Sequence, residues 1–498
     1  MRRRGDRAVI AQQVAELFDL AASSLAGTEA APQLAEARER LTGPLRVAIA
    51  GKVKAGKSTL LNALVGERLA PTDAGECTKI VTWYRDGTTY RVTMHPYAGN
   101  PEQLPFRREE GSIEIDLRTT PFDTIDRLEI EWPSSALRDV TLIDTPGIDS
   151  INTDISARTE QFLTPDGAPR AADAVLYLMR HLHQSDVRFL EAFHDQVAAQ
   201  PSAINSVGVL SRADEIGVGR LDSLSSAQRI AVRYSNDPKL RRLCQIVIPL
   251  AGLLAETAVT LRQDEFRQLQ ILAAAERSAL DALLLSVGRF TKAETNLAIT
   301  PLERQELLDR FGIFGIRLAC GLIRQQRAET SSELSTVLAE RSGLDSLRTV
   351  LRSHFTARSD VLRARSALLA LETMLGEVGP GIDTSGLGRE LERVTASIHE
   401  FAEVRLLNAL RAGHVGLPAT DLERAERLLG IVGTFTHERL EADPDTQPAE
   451  LVALALNQHS YWQTLSENPL LSRDATEAAR VLTRTCEGLI AGAQAARS

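Results

Sequence analysis

Short apolar runs alternate with amphipathic stretches between residues 45 and 250. Several of the runs are nearly continuous, which is typical of strands buried on both faces of a mostly parallel sheet. We predict seven strands, in the order "LRVAIA", "TKIVTWYR", "IDRLEIEW", "DVTLIDT", "DAVLYLMR", "INSVGVLS" and "CQIVIPL". Strands that alternate with helices predict an α/β fold, with helices on both faces of the sheet.

Helical spacing of apolar residues replaces the strands after the last of these runs. We predict one long helix over residues 253–290, which would span roughly 55 Å at 1.5 Å per residue. Thr300, Pro301 and Glu303 predict a second helix start, because the threonine and glutamate can satisfy free backbone N–H groups and the proline has none. The two helices would form a hairpin whose tip lies far from its base.

The composition narrows the possible function classes. The 498 residues carry a net charge of -9, which argues against a dedicated nucleic-acid-binding protein. The same charge opposes strong global attraction to anionic lipid, although a local basic patch could provide it. The four cysteines are scattered without CxxC spacing, so we expect free thiols in a reducing compartment. We find no signal peptide and no membrane-spanning run, so we expect a cytoplasmic protein with at most peripheral contact to the plasma membrane.

Residues 51–58, "GKVKAGKS", fit the phosphate-binding pattern G-x-x-x-x-G-K-[ST] between an apolar strand and a helix. Gly51 and Gly56 let the backbone curl so that its N–H groups face one anion, and the helix N-terminus adds positive potential. Lys57 would reach the β- and γ-phosphates of a nucleotide, and the Ser58 hydroxyl would bind Mg²⁺. The other residues of this segment that we predict to line the nucleotide are Val53, Lys54, Ala55 and Thr59.

Asp144 and Gly147 belong to the sequence "DTPG", which follows the apolar strand "VTLI". Asp144 is placed to hold Mg²⁺ through water, and the Gly147 N–H to sense the γ-phosphate. Upstream, Thr78 directly precedes a strand, and its hydroxyl could cover both Mg²⁺ and the γ-phosphate. Thr72 and Thr82 are alternatives, but we favour Thr78 because of its position directly before the strand.

The sequence "SRADEI" ends a predicted strand and carries the candidate base-reading residue. Asp214 can accept two hydrogen bonds from the N1–H and 2-amino groups of guanine, a donor pair that adenine lacks. Arg212 stands where the pattern [NT]-K-x-D has lysine, and it can lay its guanidinium plane over a base. Ala251, in "PLAG", is a candidate for the last base contact. The alternative for Asp214 is an ordinary acidic helix start.

Together these motifs resemble those of the bacterial dynamin-like GTPases, and within them the isoniazid-inducible proteins of mycobacteria. The resemblance rests on "GKVKAGKSTLLNALVG", "ECTKIV", "IEWPSSALRDVTLIDTPG", "ADAVLYLMRHLHQSDVRFL" and "SRADEI". It covers residues 45–250 and continues in outline to about residue 375. It implies a P-loop GTPase head, a helical neck that includes both chain ends, and a helical trunk. It also implies head-to-head association, and membrane binding or remodelling in several members.

The resemblance and the helical patterns together divide the chain into five segments. These are neck helices at 1–43, a GTPase head at 44–252, a helical arm at 253–340, a return helix at 341–378 and a helical neck and trunk at 379–498. We expect the return helix to close the head and lead into the neck. We also expect the N-terminal helix to pack against the helix at 475–496, because each carries an apolar stripe.

The chain departs from the family pattern at two positions of the phosphate loop. Dynamins that hydrolyse GTP quickly usually have glutamine and then serine where this chain has Val53 and Lys54. We hypothesise that the Lys54 ammonium supplies positive charge at the developing transition state. The alternative is that Lys54 points into solvent or pairs with a partner head.

We therefore predict a dynamin-like GTPase that binds GTP or GDP with Mg²⁺ and hydrolyses GTP slowly when alone. Water would attack the γ-phosphate while Lys54, Lys57, Thr78 and Gly147 arrange charge around it, and Ser58, Thr78 and Asp144 hold the metal. Expected partners are another copy or a related dynamin-like subunit, bound through the head, and an anionic membrane; no nucleic acid is expected.

Two alternative functions stay open at this point. The first is a non-catalytic nucleotide-binding partner subunit of a related dynamin-like protein, which the apolar Val53 favours. The second is an RNA- or ribosome-associated regulatory GTPase, which the acidic balance of the chain opposes.

Three other features have simple structural interpretations. His181 and His183 lack a carboxylate or thiol at supporting spacing, so they indicate a polar loop beside the nucleotide and not a metal site. Residues 310–323, "RFGIFGIRLACGLI", predict packing at a helix bend in preference to a membrane wedge. Leu297 and Ile299, in "NLAITP", are better placed to touch lipid, but no basic cluster accompanies them.

Overall fold

A central mixed sheet organises the computed structural model, which describes residues 2–28, 30–70, 80–109, 112–117, 120–147, 171–195, 203–217, 222–378 and 384–495. The strands in these ranges are β1 (Leu45–Gly51), β2 (Val81–Asp86), β3 (Arg91–Pro96), β4 (Glu102–Gln103), β5 (Phe106–Glu109), β6 (Ser112–Ile115), β7 (Ile125–Trp132), β8 (Val140–Asp144), β9 (Ala174–Met179), β10 (Ser206–Ser211) and β11 (Val247–Leu250). Nine of them form one sheet in the order β11-β10-β9-β1-β8-β2-β7-β3-β4, and β5 and β6 form a separate antiparallel pair.

The middle of the sheet is parallel. β1 pairs in parallel with both β8 and β9, and β10 continues the parallel part towards β11. Antiparallel pairing occurs between β2 and β8, between β3 and β7, and between β3 and β4. The carboxyl ends of β1, β8 and β9 therefore meet at one edge of the sheet, which is where open α/β sheets bind their ligands.

Both faces of the central strands are buried, as their apolar sequences predict. In β1, Val47 and Ile49 belong to one hydrophobic cluster, whereas Ala48 and Ala50 belong to a second cluster on the opposite face. Helices contribute residues to both clusters. The predicted α/β fold, with a mostly parallel sheet and helices on both faces, is confirmed.

All seven predicted strands are present, but β3 to β6 were not predicted. In β3, Val92 and Met94 are buried on one face, whereas Arg91, Thr93 and His95 alternate with them and are more exposed. This period-two pattern is the signal of a half-buried strand, and it could have identified β3 in the sequence.

Helices surround the sheet, and within the described residues no strand follows β11. Their bounds are α1 (Arg2–Ser24), α2 (Ala31–Glu39), α3 (Lys57–Val65), α4 (Gln184–Asp195), α5 (Ser223–Ser235), α6 (Gly252–Val259), α7 (Gln263–Ala274), α8 (Arg277–Leu283), α9 (Val287–Lys292), α10 (Pro301–Arg324), α11 (Ser331–Ser342), α12 (Leu344–Val350), α13 (Ser359–Glu377), α14 (Ser385–Ser397), α15 (His399–Arg411), α16 (Ala419–Leu428), α17 (Thr436–Leu440), α18 (Pro448–Ser466) and α19 (Arg473–Ala495). None of these helices is long and apolar enough to cross a membrane.

The prediction of one helix over residues 253–290 is wrong, because this region folds into the four helices α6 to α9. Polar side chains start two of the new helices. The Glu276 carboxylate accepts a hydrogen bond from the Ala279 N–H at 2.9 Å, and the Ser286 hydroxyl accepts one from the Arg289 N–H at 3.3 Å. Such caps satisfy the free N–H groups of a first turn and thereby favour a new helix over continuation of the old one.

The predicted start of α10 is confirmed. The Thr300 hydroxyl accepts from the Glu303 N–H, and the Glu303 carboxylate accepts from the Thr300 N–H. A kink at Gly312, with φ +62°, bends this helix, and Phe311 and Phe314 are buried beside it, so the predicted packing at a helix bend is also confirmed.

The residues considered for lipid contact are packed inside the protein. Ile299 is buried and Leu297 is partly buried, and both belong to the same hydrophobic cluster as Tyr177 of β9. Phe266 and Leu269 of α7 join this cluster as well. Because these side chains already bury their apolar surface within the chain, Leu297 and Ile299 do not form a lipid-contacting loop in this structure.

The predicted packing between the two terminal helices is present only as a small contact, and their apolar stripes are buried mainly in different clusters. Val14 and Phe18 of α1 are buried against α13 and α14, in a cluster that also includes Leu371 and Leu391. Leu482 of α19 belongs instead to the large cluster that contains the P-loop helix α3. Within the described residues, the stripe of α1 is thus covered mainly by α13 and α14, and the last helix packs mainly against α18.

An irregular stretch separates α12 from α13. Leu351–Phe355 is a π-helical turn and Thr356–Arg358 is a 3₁₀ turn. The turn at residues 429–434, between α16 and α17, contacts this stretch through side-chain hydrogen bonds. We call residues 351–358 and 429–434 together the junction, because their hydrogen bonds connect the stretch between α12 and α13 with the turn between α16 and α17.

Candidate nucleotide-binding site

The phosphate loop lies between the end of β1 at Gly51 and the start of α3 at Lys57. Gly51 and Gly56 have φ values of 148° and 96°. A Cβ atom at Gly51 would lie 2.5 Å from the Leu178 carbonyl oxygen of β9, so this position requires glycine. Lys54, at the tip of the loop, also has a positive φ of 61° and is exposed. The loop therefore adopts the left-handed turns that an N–H-lined anion cradle needs.

Lys57 folds back over the loop. Its ammonium donates to the carbonyl oxygens of Gly51 at 3.2 Å and Lys52 at 3.3 Å. Burial lowers the pKa of Lys57, and the charge of Asp144 opposes that shift. A bound anion would raise the pKa of Lys57, as Asp144 does, because it stabilises the charged ammonium. The loop therefore favours the binding of a negatively charged ligand.

Ser58 and Asp144 meet across the start of α3. The Ser58 hydroxyl donates to Asp144 Oδ2 at 2.9 Å, whereas Asp144 Oδ1 is buried and has no hydrogen-bond partner among the described residues. Burial raises the pKa of Asp144, and Lys57 and Ser58 counteract the rise. A hydroxyl beside a carboxylate with one unmatched oxygen is the hard-oxygen donor set that Mg²⁺ prefers, so these residues fit the metal.

Gly147 lies directly against the phosphate loop. A Cβ atom at this position would lie 2.5 Å from Val53 Cγ2 and 2.8 Å from Val53 Cα. The preceding turn is fixed by Thr145, whose hydroxyl donates to the Ile49 carbonyl oxygen at 3.0 Å. Glycine at 147 is thus required by the close approach of the two loops, and the predicted γ-phosphate contact of its N–H stays a prediction.

Of the three threonines considered as metal ligands, only Thr82 lies within the described residues. Thr78, the favoured metal ligand, and its alternative Thr72 lie outside the described residues. Thr82 is buried in β2 opposite Asp144, and its hydroxyl donates to the Ile80 carbonyl oxygen. The hydroxyl of Thr82 is therefore used inside the sheet, which weakens this alternative.

The base-reading segment reaches the phosphate loop through Arg212. This residue has a φ of 53°, and its guanidinium donates to the Lys54 carbonyl oxygen at 3.0 Å and to Glu215 Oε1 at 2.7 Å. Asp214 is half-buried, and burial raises the pKa of its carboxyl. The structure thus brings Arg212 to the phosphate loop, and Asp214 follows Arg212 by two residues in the sequence.

Ala251 directly precedes α6, and Thr59 belongs to the first turn of α3. Ala251 is buried and its N–H donates to the Ser342 carbonyl oxygen at 2.9 Å, so this N–H is already used within the chain. A Cβ atom at Gly252 would lie 3.7 Å from Thr59 Cγ2, which places the start of α6 against the P-loop helix. A base contact at Ala251 would have to use another of its atoms.

The sequence did not predict one contact of the phosphate loop, that between Lys52 and Asp186. Lys52 Nζ lies 3.8 Å from Asp186 Oδ1, and the buried Asp186 carboxylate also accepts from the Tyr177 hydroxyl at 2.9 Å and the His183 N–H at 2.8 Å. Asp186 lies in the family-like sequence "ADAVLYLMRHLHQSDVRFL", but its role as an anchor for the loop depends on the strand order, which places β9 beside β1.

Comparisons with known proteins agree with this geometry. The sequence model of the dynamin family matches residues 47–211. The isoniazid-induced protein IniC of Mycobacterium tuberculosis is 42% identical over 468 residues, which cover 93% of this chain and 94% of that protein. A bacterial dynamin-like protein of Nostoc punctiforme is 34% identical over 149 residues, which cover 28% of this chain and 20% of that protein. The isoniazid-induced protein IniA of M. tuberculosis is 34% identical over 125 residues, or 23% of this chain and 19% of that protein.

The comparisons confirm the resemblance found in the sequence. The match to IniC extends over nearly the full length of both chains, and the dynamin model spans the phosphate loop, Asp144 and the end of β10. The chain belongs to the dynamin family, as a bacterial dynamin-like protein related to the isoniazid-induced protein IniC.

Proposed function

We propose that this protein binds GTP together with Mg²⁺, hydrolyses GTP slowly when alone, and couples the nucleotide state to association of its heads. The observation that supports this proposal most strongly is the Ser58–Asp144 pair, which leaves one buried carboxylate oxygen unmatched beside the phosphate loop. A purely structural pair would be expected to match both oxygens, because an unmatched buried polar atom is costly.

In this proposal the chain's own residues position the triphosphate. The N–H groups from Val53 to Thr59 would surround the phosphates, and Lys57 would exchange its carbonyl partners for the β- and γ-phosphate oxygens. Gly147 would present its N–H to the γ-phosphate, and Thr78 would complete the metal site with Ser58 and Asp144. Bound Mg²⁺ would neutralise charge on the phosphate oxygens.

Guanine selectivity is assigned to the segment after β10. The Asp214 carboxylate would accept from the N1–H and 2-amino groups of guanine, and Arg212, which already holds the loop through the Lys54 carbonyl oxygen, would cover the base. The raised pKa of Asp214 supports this role, because hydrogen bonds from a guanine would stabilise the buried carboxylate.

The proposal also includes peripheral contact with an anionic membrane and association with another copy or a related dynamin-like subunit. The support is family membership together with exposed apolar side chains on the helical region, of which Leu470, between α18 and α19, is the most exposed. Flotation with liposomes of stated anionic lipid content, compared with RNA binding at physiological salt, tests this part. Flotation without RNA binding supports it, whereas RNA binding alone would favour a ribosome-associated role.

Nucleotide binding and turnover test the central claim. We expect fluorescent GDP and GTP analogues to bind in an Mg²⁺-dependent manner, and Ser58→Ala to remove most of the Mg²⁺ dependence. Single-turnover hydrolysis by the purified chain should be slow, and it should rise with protein concentration.

A second candidate is a nucleotide-binding subunit that does not hydrolyse GTP. Val53 favours it, because an apolar side chain at the loop position nearest Gly147 cannot orient water. Binding without single-turnover hydrolysis, either alone or with a related dynamin-like protein, would establish this candidate and reject the first.

A further inference from the structure

The P-loop helix carries a fully buried asparagine that no role in nucleotide binding explains. Asn62 lies about one helical turn after Ser58 on α3 and has no exposed surface. Its Oδ1 accepts from the Leu69 N–H at 2.9 Å and from the Ala70 N–H at 2.8 Å. Its Nδ2 donates to the Ala70 carbonyl oxygen at 3.1 Å. One side chain thus fixes the backbone of the segment that follows α3.

The second Nδ2 hydrogen bond of Asn62 reaches a buried carboxylate. Glu256 Oε1, on α6, accepts from Asn62 Nδ2 at 3.2 Å and from Arg68 Nε at 3.2 Å. Glu256 is 2% exposed, and burial raises the pKa of its carboxyl while Arg68, Arg310 and Asn62 oppose the rise. Asn62, Glu256 and Arg68 therefore form one network that joins α3, the segment 66–70 and α6.

This network lies between the segment that follows α3 and the helix α10. On one side, Ala70 directly precedes residues 71–79, which carry Thr78, the metal ligand of the proposed function. On the other side, the next residue of α6, Thr257, donates its hydroxyl to the Arg310 carbonyl oxygen of α10. The network thus stands between the phosphate end of α3 and the helices that follow the sheet.

Packing alone does not explain these residue types. A leucine would fill the volume of Asn62, and a methionine that of Glu256, without the cost of burying an amide and a carboxylate. The polar side chains instead fix an orientation. The hydrogen bonds of Asn62 to the two N–H groups and the carbonyl oxygen at 69–70 can form together in only one arrangement of this segment against α3.

We propose that Asn62 and Glu256 are positioning residues for the GTP-bound state. They hold the chain at Ala70 in a fixed place relative to Ser58 and Lys57, and thereby set where the following segment begins. This inference rests on the proposed function. GDP depends mainly on the phosphate loop and the base-reading segment, so the loss of either residue should weaken GTP binding and turnover more than GDP binding.

The test compares Asn62→Ala and Glu256→Met with a matched control, Glu426→Met. Glu426, on α16, is also a buried carboxylate paired with an arginine, Arg241, and among the described residues no hydrogen bond or ion pair joins it to Asn62, Arg68 or Glu256. The measurements are the affinities for GTPγS and GDP with Mg²⁺, the kcat and KM for GTP, and the melting temperature of each purified full-length chain.

We expect the ratio of GTPγS affinity to GDP affinity, and kcat, to fall by about tenfold in both test variants, a typical size for coupling between sites. GDP affinity should stay within about twofold of wild type, and the control should keep the wild-type ratio even if its melting temperature falls. Glu256→Met keeps a similar side-chain volume and removes the acceptor oxygen, so it remains informative if Asn62→Ala does not fold.

Two results overturn the inference for different reasons. Folded test variants that keep the wild-type ratio and kcat, or a control that loses both equally, reject the positioning role while leaving the GTPase assignment intact. A wild-type chain that fails to bind GTPγS rejects the proposed function itself, and the inference with it.

Discussion

The nucleotide site and the junction are both clusters of buried polar groups, but they use those groups differently. In the junction, both ring nitrogens of His354 have partners within the chain, the Ser353 hydroxyl at 2.8 Å and the Ile431 carbonyl oxygen at 3.0 Å. In the site, Asp144 keeps one buried oxygen without a partner among the described residues. The junction is therefore suited to hold two segments together, and the site is suited to receive a ligand.

Burial shifts pKa values in both places, with different consequences. It lowers the pKa of His354 to about 4 and that of Arg358 to about 10 in the junction. In the site it lowers the pKa of Lys57 and raises that of Asp144. A bound anion and cation can relieve the shifts in the site, whereas only unfolding or separation of the segments can relieve those in the junction.

The largest effect that this comparison predicts is that of Lys57→Ala. Removing the ammonium should weaken binding of GTP and GDP by at least about a hundredfold, because charged hydrogen bonds to phosphate are lost. The melting temperature of the ligand-free chain should change little, since the lysine serves a ligand and not the core. Titration with a fluorescent guanine nucleotide and a thermal melt measure both, with Lys292→Ala, an exposed lysine on α9, as control. A lower melting temperature together with unchanged nucleotide affinity would contradict the comparison.

The junction should instead show its effect in stability, as a function of pH. His354 stays neutral in the folded chain down to about pH 4, whereas its ordinary pKa is 6.5. Between these values the unfolded chain binds more protons, so the free energy of unfolding falls as the pH falls, by up to about 3 kcal/mol. Denaturant unfolding between pH 7 and pH 4.5 measures this decrease.

The control for the junction separates His354 from the other titrating groups. His354→Asn should flatten the pH dependence relative to wild type, while His414→Asn, at an exposed histidine, should leave it unchanged. Equal slopes for wild type and His354→Asn would show that the junction histidine is not held neutral by burial.

The sequence predicted the strands of the sheet better than it predicted the helical region, for a physical reason. The strands carry local signals, since runs such as that of β1 must be apolar throughout to be buried on both faces. The helix over 253–290 had the right period, but its breaks depend on which polar residues cap, and Glu276 and Ser286 look like surface positions in a helical pattern.

The sequence also did not predict which helices pack against one another. The apolar stripe of α1 was recognised, yet its cover by α13 and α14 depends on tertiary contacts that a stripe does not encode. In the site, Lys57, Ser58 and Asp144 were found from motif spacing, whereas the Lys52–Asp186 contact depends on β9 lying beside β1. Features set by neighbouring residues could therefore be predicted from the sequence, whereas contacts between distant segments could not.

A smaller effect is expected at the base end of the site, where Asp214 is only half-buried. Asp214→Asn should weaken GTP binding by about tenfold to a hundredfold, because the amide offers one acceptor where guanine presents two donors. The same variant should bind xanthosine triphosphate better than wild type does, because the new amide N–H can donate to the 2-oxo group. Competition between the two nucleotides measures the change, and an unchanged preference would return Asp214 to the role of a helix-start residue.

The smallest effect is expected at Lys54, the exposed tip of the phosphate loop. Its backbone is held by Arg212 at the carbonyl oxygen, so the side chain can be removed without releasing that contact. Lys54→Ala should leave GTP affinity unchanged and lower turnover by about fivefold, less than a buried oxyanion donor would, because solvent screens the charge. Single-turnover hydrolysis with saturating GTP measures the rate, and Lys54→Arg, which retains the charge, should restore most of it. Unchanged turnover in Lys54→Ala would mean that the ammonium faces solvent or a partner head, and that the loop holds the nucleotide without taking part in its cleavage through this side chain.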